Sequence, residues 1–124
     1  MKEYIFPKKI KEINLATGTN NLLKKQPMQI GLCERETATI SKDGYIVLDY
    51  GKEMNGGIRI LTYLGQRVRV RIRFGESLSE CYSQIGDEKN ATNDHSLRDF
   101  CVELQSYSDM TFGNTGFRFV RIDF

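Results

Sequence analysis

Tryptophan is absent from this chain of 124 residues, histidine occurs once, and no apolar run is long enough to cross a bilayer. The charges nearly cancel, because the sequence contains 18 Lys and Arg residues and 16 Asp and Glu residues, for a formal net charge of +2. This balance lacks the strong basic excess that is typical of nucleic-acid-binding proteins. The composition therefore predicts one globular domain with neither a membrane span nor a nucleic-acid partner.

Cysteine is also scarce, and its spacing excludes the usual cysteine-based sites. Cys33, Cys81 and Cys101 are odd in number and include no C-x-x-C pair, so they cannot form a closed disulfide framework or a close-pair zinc site. Free cysteine behaves as a small hydrophobe, and we expect buried free thiols. No metal ligand set follows from these residues.

Alternation of apolar and polar residues is the strongest pattern that is present. The segment RVRVRIRF predicts a strand that turns Val68, Val70, Ile72 and Phe74 toward a core. The intervening arginines face the other way, and we call them the arginine row: Arg67, Arg69, Arg71 and Arg73. The segment LRDFCVEL alternates in the same manner and turns Asp99 and Glu103 outward, where they can pair with the arginine row.

Further segments with strand character complete the predicted fold. They are YIVLDY, GGIRILTYL and TGFRFVRIDF, with a weaker candidate in ETATI, and turns are predicted at Asp43, Asn55 and Leu64. No amphipathic helix of ten residues is evident. We therefore predict an all-β antiparallel sandwich, of the jelly-roll or galactose-binding-like kind, over residues 31–124. Residues 1–30 are predicted to form an N-terminal arm, and they lack the apolar stretch of a secretory signal, so the location of the chain stays open.

A polar connection of about twenty residues, from Ser77 to Ser96, is longer than most loops of compact domains and is where a site is expected. The candidate ligand-binding residues are Glu76, Tyr82, Asn93, Asp94 and His95. A histidine beside carboxylates can serve as a general acid or base, but an Asn-Asp pair before a strand is more often a turn. The stretch GDEKNATND also offers the oxygen ligands that calcium prefers, although its spacing departs from the standard calcium loop.

The arginine row has two interpretations. Arginines with neighbouring aromatic residues can follow a phosphate backbone, but guanidinium groups are also enriched at protein interfaces. Because four arginines on one strand are more than solubility needs, we favour docking on another protein domain. If that domain were absent, the uncovered face would favour homo-oligomers.

Four segments together resemble a known family: VLDYGKEMNGGIRI, VRVRIRFGESLSE, ATNDHSLRDF and GNTGFRFVRIDF. They are similar to the β-sandwich domain that precedes the catalytic barrel in bacterial α-L-rhamnosidases of glycoside hydrolase family 78. The positions that match the family pattern are Asp49, Tyr50, Gly51, Gly56, Gly57, Gly75, Glu76, Asp94, Gly116, Phe117, Arg118 and Phe119. The resemblance covers residues 44–124.

The resemblance implies an accessory domain without catalytic residues or cofactor of its own. Family members carry their catalytic acid and base on an (α/α)6 barrel, which is expected to begin where this chain stops. The implied partner is that barrel, and Glu76 and Asp94 are expected to hold loops through backbone amides, Arg98 or Arg118. A lectin-like module that binds rhamnose-type sugars, with or without calcium, stays as the alternative, although the absence of tryptophan counts against it.

Overall fold

The computed structural model describes residues 4–23, 37–62, 67–82 and 98–124. They form one antiparallel sheet with the strand order β1-β2-β5-β3-β4. The strands are β1 (Lys9–Thr17), β2 (Thr39–Leu61), β3 (Val68–Gly75), β4 (Asp99–Leu104) and β5 (Asp109–Asp123). A 3₁₀ turn (Thr19–Leu23) follows β1, and a short helix, α1 (Leu78–Tyr82), follows β3. The predicted all-β antiparallel class is confirmed, and in the described ranges no helix is long and apolar enough to span a membrane.

Strand β2 continues through the positions where the sequence predicts turns. Asp43 and Asn55 both lie inside it, so those two turn predictions are wrong. The backbone has positive φ values at Asp43 (67°) and Gly51 (84°), and the pairing of β2 with β5 shifts register between Asp49 and Met54. Residues that tolerate positive φ suit bulges as well as turns, and bulges bend a strand without reversing it.

One face of the sheet is apolar, and the far half of the β2–β5 strand pair folds over it. Val70, Ile72 and Phe74 are each at most 1% exposed, which confirms the alternation predicted for β3. The ring centroid of Phe117 lies 4.9 Å from that of Phe74, and a Cβ atom on Gly113 would lie 2.7 Å from the Phe74 ring. The two layers of the core therefore belong to a single sheet that bends at its bulges.

Part of the predicted N-terminal arm belongs to this sheet. Residues 9–17 form the edge strand β1, which pairs with β2, and the Lys8 amide donates a hydrogen bond of 2.8 Å to the Asp49 carbonyl. Only Ile10 and Ala16 of this strand are even half-buried. An edge strand with so little burial needs no regular apolar alternation, which is why the hydrophobic pattern did not reveal it.

Tyr50 is a core residue whose ionisation opposes folding. It is 8% exposed, and its ring meets that of Phe117 edge-on at 5.6 Å. Burial raises the pKa of Tyr50 from 10.0 to about 12. A raised tyrosine pKa contributes stability that is fully present below the unfolded-state pKa and is lost as the pH rises through the folded-state pKa. The window here is pH 10 to 12, and the total loss is about 2–3 kcal/mol.

The matched variant Tyr50→Phe removes this ionisable group and keeps the ring. We expect wild type to lose more stability than Tyr50→Phe between pH 8 and pH 11, in urea unfolding followed by circular dichroism. The difference at pH 11 should be roughly half of the total loss. Equal losses in the two proteins would show that the hydroxyl of Tyr50 is not buried.

Candidate functional site

The carboxylate of Asp49 lies where β2 bends, and it joins two segments that resemble the rhamnosidase family, VLDYGKEMNGGIRI on β2 and GNTGFRFVRIDF on β5. Asp49 is 1% exposed, and its Oδ1 accepts a hydrogen bond of 2.7 Å from the Gly51 amide. Arg118 on β5 donates to both carboxylate oxygens, from Nε at 3.0 Å and from Nη2 at 3.3 Å. Arg118 was one of the partners expected for Glu76 or Asp94, and in the structure it is paired with Asp49, while Asp94 lies outside the described residues.

The charge of Asp49 is stabilised although the side chain is buried. Burial alone would raise its pKa, but the bonds from Arg118 and from the Gly51 amide outweigh burial and lower the pKa below its ordinary value of 3.8. A carboxylate that is fixed in this way stays ionised at neutral pH. The Asp49–Arg118 pair therefore fixes the bend beyond which β2 continues.

Just beyond the bend lies a shallow, open cleft of about 290 Å³. Its lining residues come from β2, from β5 and from the end of β3: Glu53, Met54, Asn55, Glu76 and Gly116. A Cβ atom on Gly116 would lie 3.2 Å from Asn55 Oδ1 and 3.5 Å from Glu76 Oε1. The glycine thus leaves room for polar side chains to meet over the floor of the cleft.

Two carboxyl groups share this cleft. The negative charge of Glu76 and a hydrogen bond with its side chain raise the pKa of Glu53. Two neighbouring carboxyl groups disfavour each other's ionisation, and each can accept hydrogen bonds from hydroxyl groups. An open cleft that carries both groups is suited to binding a polar ligand.

Beside the cleft, Glu76 is contacted by α1 and by the residue that precedes β4, and we call these contacts the rim of the cleft. Arg98 Nη2 lies 3.4 Å from Glu76 Oε1, and Arg98 Nη1 lies 3.5 Å from Glu80 Oε2. The Glu80 carboxylate also accepts a hydrogen bond of 2.7 Å from the Glu76 amide. The sequence-based expectation that Glu76 pairs with Arg98 agrees with this arrangement.

The structure separates the residues that the sequence grouped into one site. Glu76 lines the cleft, whereas Tyr82 is not among its lining residues and lies against Arg121 of β5. Asn93, Asp94 and His95 lie outside the described residues, as do the proposed calcium ligands between Asp87 and Asp94, so those assignments stay predictions. Sequence reasoning missed Glu53 and Asn55, because it placed Asn55 in a turn.

Tyr82 takes part in a network that we call the tyrosine latch: Glu12, Tyr45, Tyr82 and Arg121. The Tyr45 hydroxyl donates a hydrogen bond of 2.8 Å to Glu12 Oε1, and the Tyr82 hydroxyl donates to Glu12 Oε2. The guanidinium carbon of Arg121 lies 4.2 Å from the Tyr45 ring centroid and 4.7 Å from that of Tyr82. The bond to Glu12 is the main reason why the pKa of Tyr45 is raised.

The arginine row is largely paired within the chain. The predicted cross-strand pairs form, between Arg67 and Glu103 and between Arg71 and Asp99. Arg73 is 4% exposed and lies 2.6 Å from Asp123 Oδ2 on β5. Docking of the row on another domain stays a prediction. The pairing means that acidic side chains of the same chain neutralise most of the positive charge of the arginine row.

The cysteines follow the prediction only in part. Cys81 on α1 is buried, and burial raises the pKa of its thiol to about 11. Cys101 on β4 is exposed on the polar face, in register with Arg71, as the alternation of that strand predicts, although the general expectation of buried free thiols is wrong for it. Cys33 lies outside the described residues. Within the described ranges, no three His, Cys, Asp or Glu side chains are placed to hold a metal ion.

Comparison with known proteins identifies a structural relative. No family model matches the chain, and no curated protein does so. A solved structure described as a rhamnosidase from Klebsiella oxytoca with rhamnose bound is similar to this chain, with a TM-score of 0.61 and 14% sequence identity. The match covers 95% of this chain and 24% of that chain, so the present chain spans about a quarter of the relative's length. The fold of this chain is therefore related to that of part of a rhamnosidase.

Proposed function

We propose that this chain is a non-catalytic accessory β-domain of an α-L-rhamnosidase-like enzyme of glycoside hydrolase family 78. The observation that carries the proposal is the extent of the structural match: almost all of this chain corresponds to about a quarter of the Klebsiella rhamnosidase chain. The four sequence segments that resemble the domain before the catalytic barrel support the same assignment. The parent enzyme would supply the catalytic barrel, and this domain would pack beside it.

The geometry of the cleft supports a role without catalysis. Glu53 and Glu76 line the same shallow, open cleft, and the negative charge of Glu76 raises the pKa of Glu53. The Glu76 side chain is further held beside Arg98. These contacts are consistent with carboxyl groups that accept hydrogen bonds rather than with a catalytic pair.

The test is turnover of an aryl α-L-rhamnoside by the purified chain. We expect hydrolysis to equal that of buffer, and the Glu53→Gln and Glu76→Gln variants to be indistinguishable from wild type. Hydrolysis above buffer that disappears in Glu76→Gln would overturn the proposal. A surface variant, Glu103→Gln, controls for a contaminating hydrolase, because its carboxylate lies on β4 and pairs with Arg67, away from the cleft.

The second candidate is a sugar-binding module, and one observation favours it. The cleft presents two carboxyl groups and the Asn55 amide to solvent, and such groups bind sugar hydroxyls. Titration calorimetry with rhamnose, with and without calcium, distinguishes the two functions. A heat of binding that is lost in Glu53→Gln would favour the sugar-binding module. The absence of a heat of binding at millimolar rhamnose would favour the non-catalytic accessory role.

A further inference from the structure

Helix α1 is too short to hold its own position. It contains five residues, Leu78–Tyr82, and an isolated helix of that length is unstable in water. Its anchor on the sheet is Cys81, which is fully buried and lies 3.8 Å from the Arg73 carbonyl through its Sγ. The two residues that flank Cys81 make polar contacts in two different regions of the molecule.

One flanking residue reaches the cleft. The Glu80 carboxylate accepts a hydrogen bond from the Glu76 amide and lies beside Arg98, as described above. These contacts join α1 to the residue that lines the cleft and to the start of β4. A rotation of α1 would therefore change the rim of the cleft.

The other flanking residue reaches the N-terminal strand. Tyr82 donates to Glu12 of β1 and stacks on Arg121 of β5, and Arg121 Nε is held in turn by Asp123 at 3.0 Å. The tyrosine latch is thus the polar connection between β1, an edge strand with one described neighbour, and α1. Glu80 and Tyr82 lie on the same turn of one short helix, so a rotation of α1 displaces the backbone of both residues.

We infer that the tyrosine latch is a conformational device that lets the N-terminal strand set the position of α1 and hence the rim of the cleft. Release of Glu12 from Tyr82 frees α1 to rotate about Cys81. The contact between Glu80 and the Glu76 amide then opens more often. This inference does not depend on the proposed function, because it concerns the chain's own contacts.

Hydrogen exchange of the Glu76 amide, measured by NMR at neutral pH, tests the inference. Tyr82→Phe keeps the ring on Arg121 and removes the hydroxyl, and Glu12→Ala removes the acceptor. In each variant we expect the Glu76 amide to exchange about 3- to 10-fold faster, while the Ile72 amide in the core of β3 is unchanged. Tyr107→Phe is the matched control, because Tyr107 is exposed in the β4–β5 turn and should leave the rate at Glu76 unchanged.

The double variant makes the test specific to one hydrogen bond. Because Glu12 and Tyr82 are the two partners of that bond, Glu12→Ala with Tyr82→Phe should exchange no faster than Glu12→Ala alone. Unchanged exchange at Glu76 in both single variants would overturn the inference. Independent, multiplicative accelerations in the double variant would overturn it as well. Neither result would bear on turnover of a rhamnoside, so failure here is distinguishable from failure of the proposed function.

Discussion

Replacement of Asp49 by asparagine is expected to lower the free energy of unfolding by about 3 kcal/mol. The variant keeps the shape of the side chain but removes the charge that Arg118 and the Gly51 amide stabilise in a buried position. Breaking a buried ion pair costs about 3–5 kcal/mol, and the lower end applies because the Arg118 side chain is 42% exposed. Urea unfolding at pH 7 measures the loss.

The control for Asp49 is an ion pair on the surface. Glu103→Gln breaks the pair with Arg67, whose two side chains are 51% and 66% exposed, and the expected loss is below about 1 kcal/mol. Because the pKa of Asp49 is lowered in the folded protein, its contribution is present above the ordinary value of 3.8 and is lost as the pH falls through the folded-state pKa. Similar losses in the two variants at pH 7 would show that Asp49 has no special role at the bend.

The second large effect is expected at a glycine where the two long strands lie too close for a side chain. A Cβ atom on Gly57 would lie 2.3 Å from the carbonyl oxygens of Phe112 and Gly113. Both obstacles are backbone atoms, so the strands themselves must separate to admit it. We expect Gly57→Ala to destabilise the protein by about 3 kcal/mol, measured by the same urea unfolding.

Gly116→Ala is the matched control on the neighbouring strand. Its added Cβ atom would meet only the side chains of Asn55 and Glu76, at 3.2 and 3.5 Å, and these can move. We expect a change below about 1 kcal/mol, because a small strain is offset by the reduced freedom of the unfolded chain. If Gly57→Ala were as stable as Gly116→Ala, the close approach of the strands would not exist in solution.

The sequence predicts the parts of this fold where burial alternates. In β3, every second residue faces the core, and the acids of β4 meet the arginine row as the period-two pattern requires. Alternation does not predict strand β1, because β1 is an exposed edge strand. It does not predict the bulges either, because Asp43 and Gly51 have positive φ values, which turns also need.

The candidate site was harder to predict than the fold. Glu76 was found through a family resemblance, but its partner Glu53 and the nearby Asn55 come from a distant part of the chain. They meet because β2 bends after Asp49, and the residues at that bend, Asp49 and Gly51, do not by themselves distinguish a bulge from a turn. For Tyr82 the error is the opposite one: proximity in sequence grouped it with Glu76, but in the structure it contacts Glu12 on β1.

The position of β5 in the sheet has a consequence for synthesis of the protein. This strand is the last of the five to be translated, yet it lies between β2 and β3 and hydrogen-bonds to both. Tyr45 pairs with Asp123, a separation along the chain that makes closure of the sheet slow. Residues 109–123 must therefore leave the ribosome before β2 and β3 can be bridged, and until then the apolar residues of β2 and β3 have no partner strand between them.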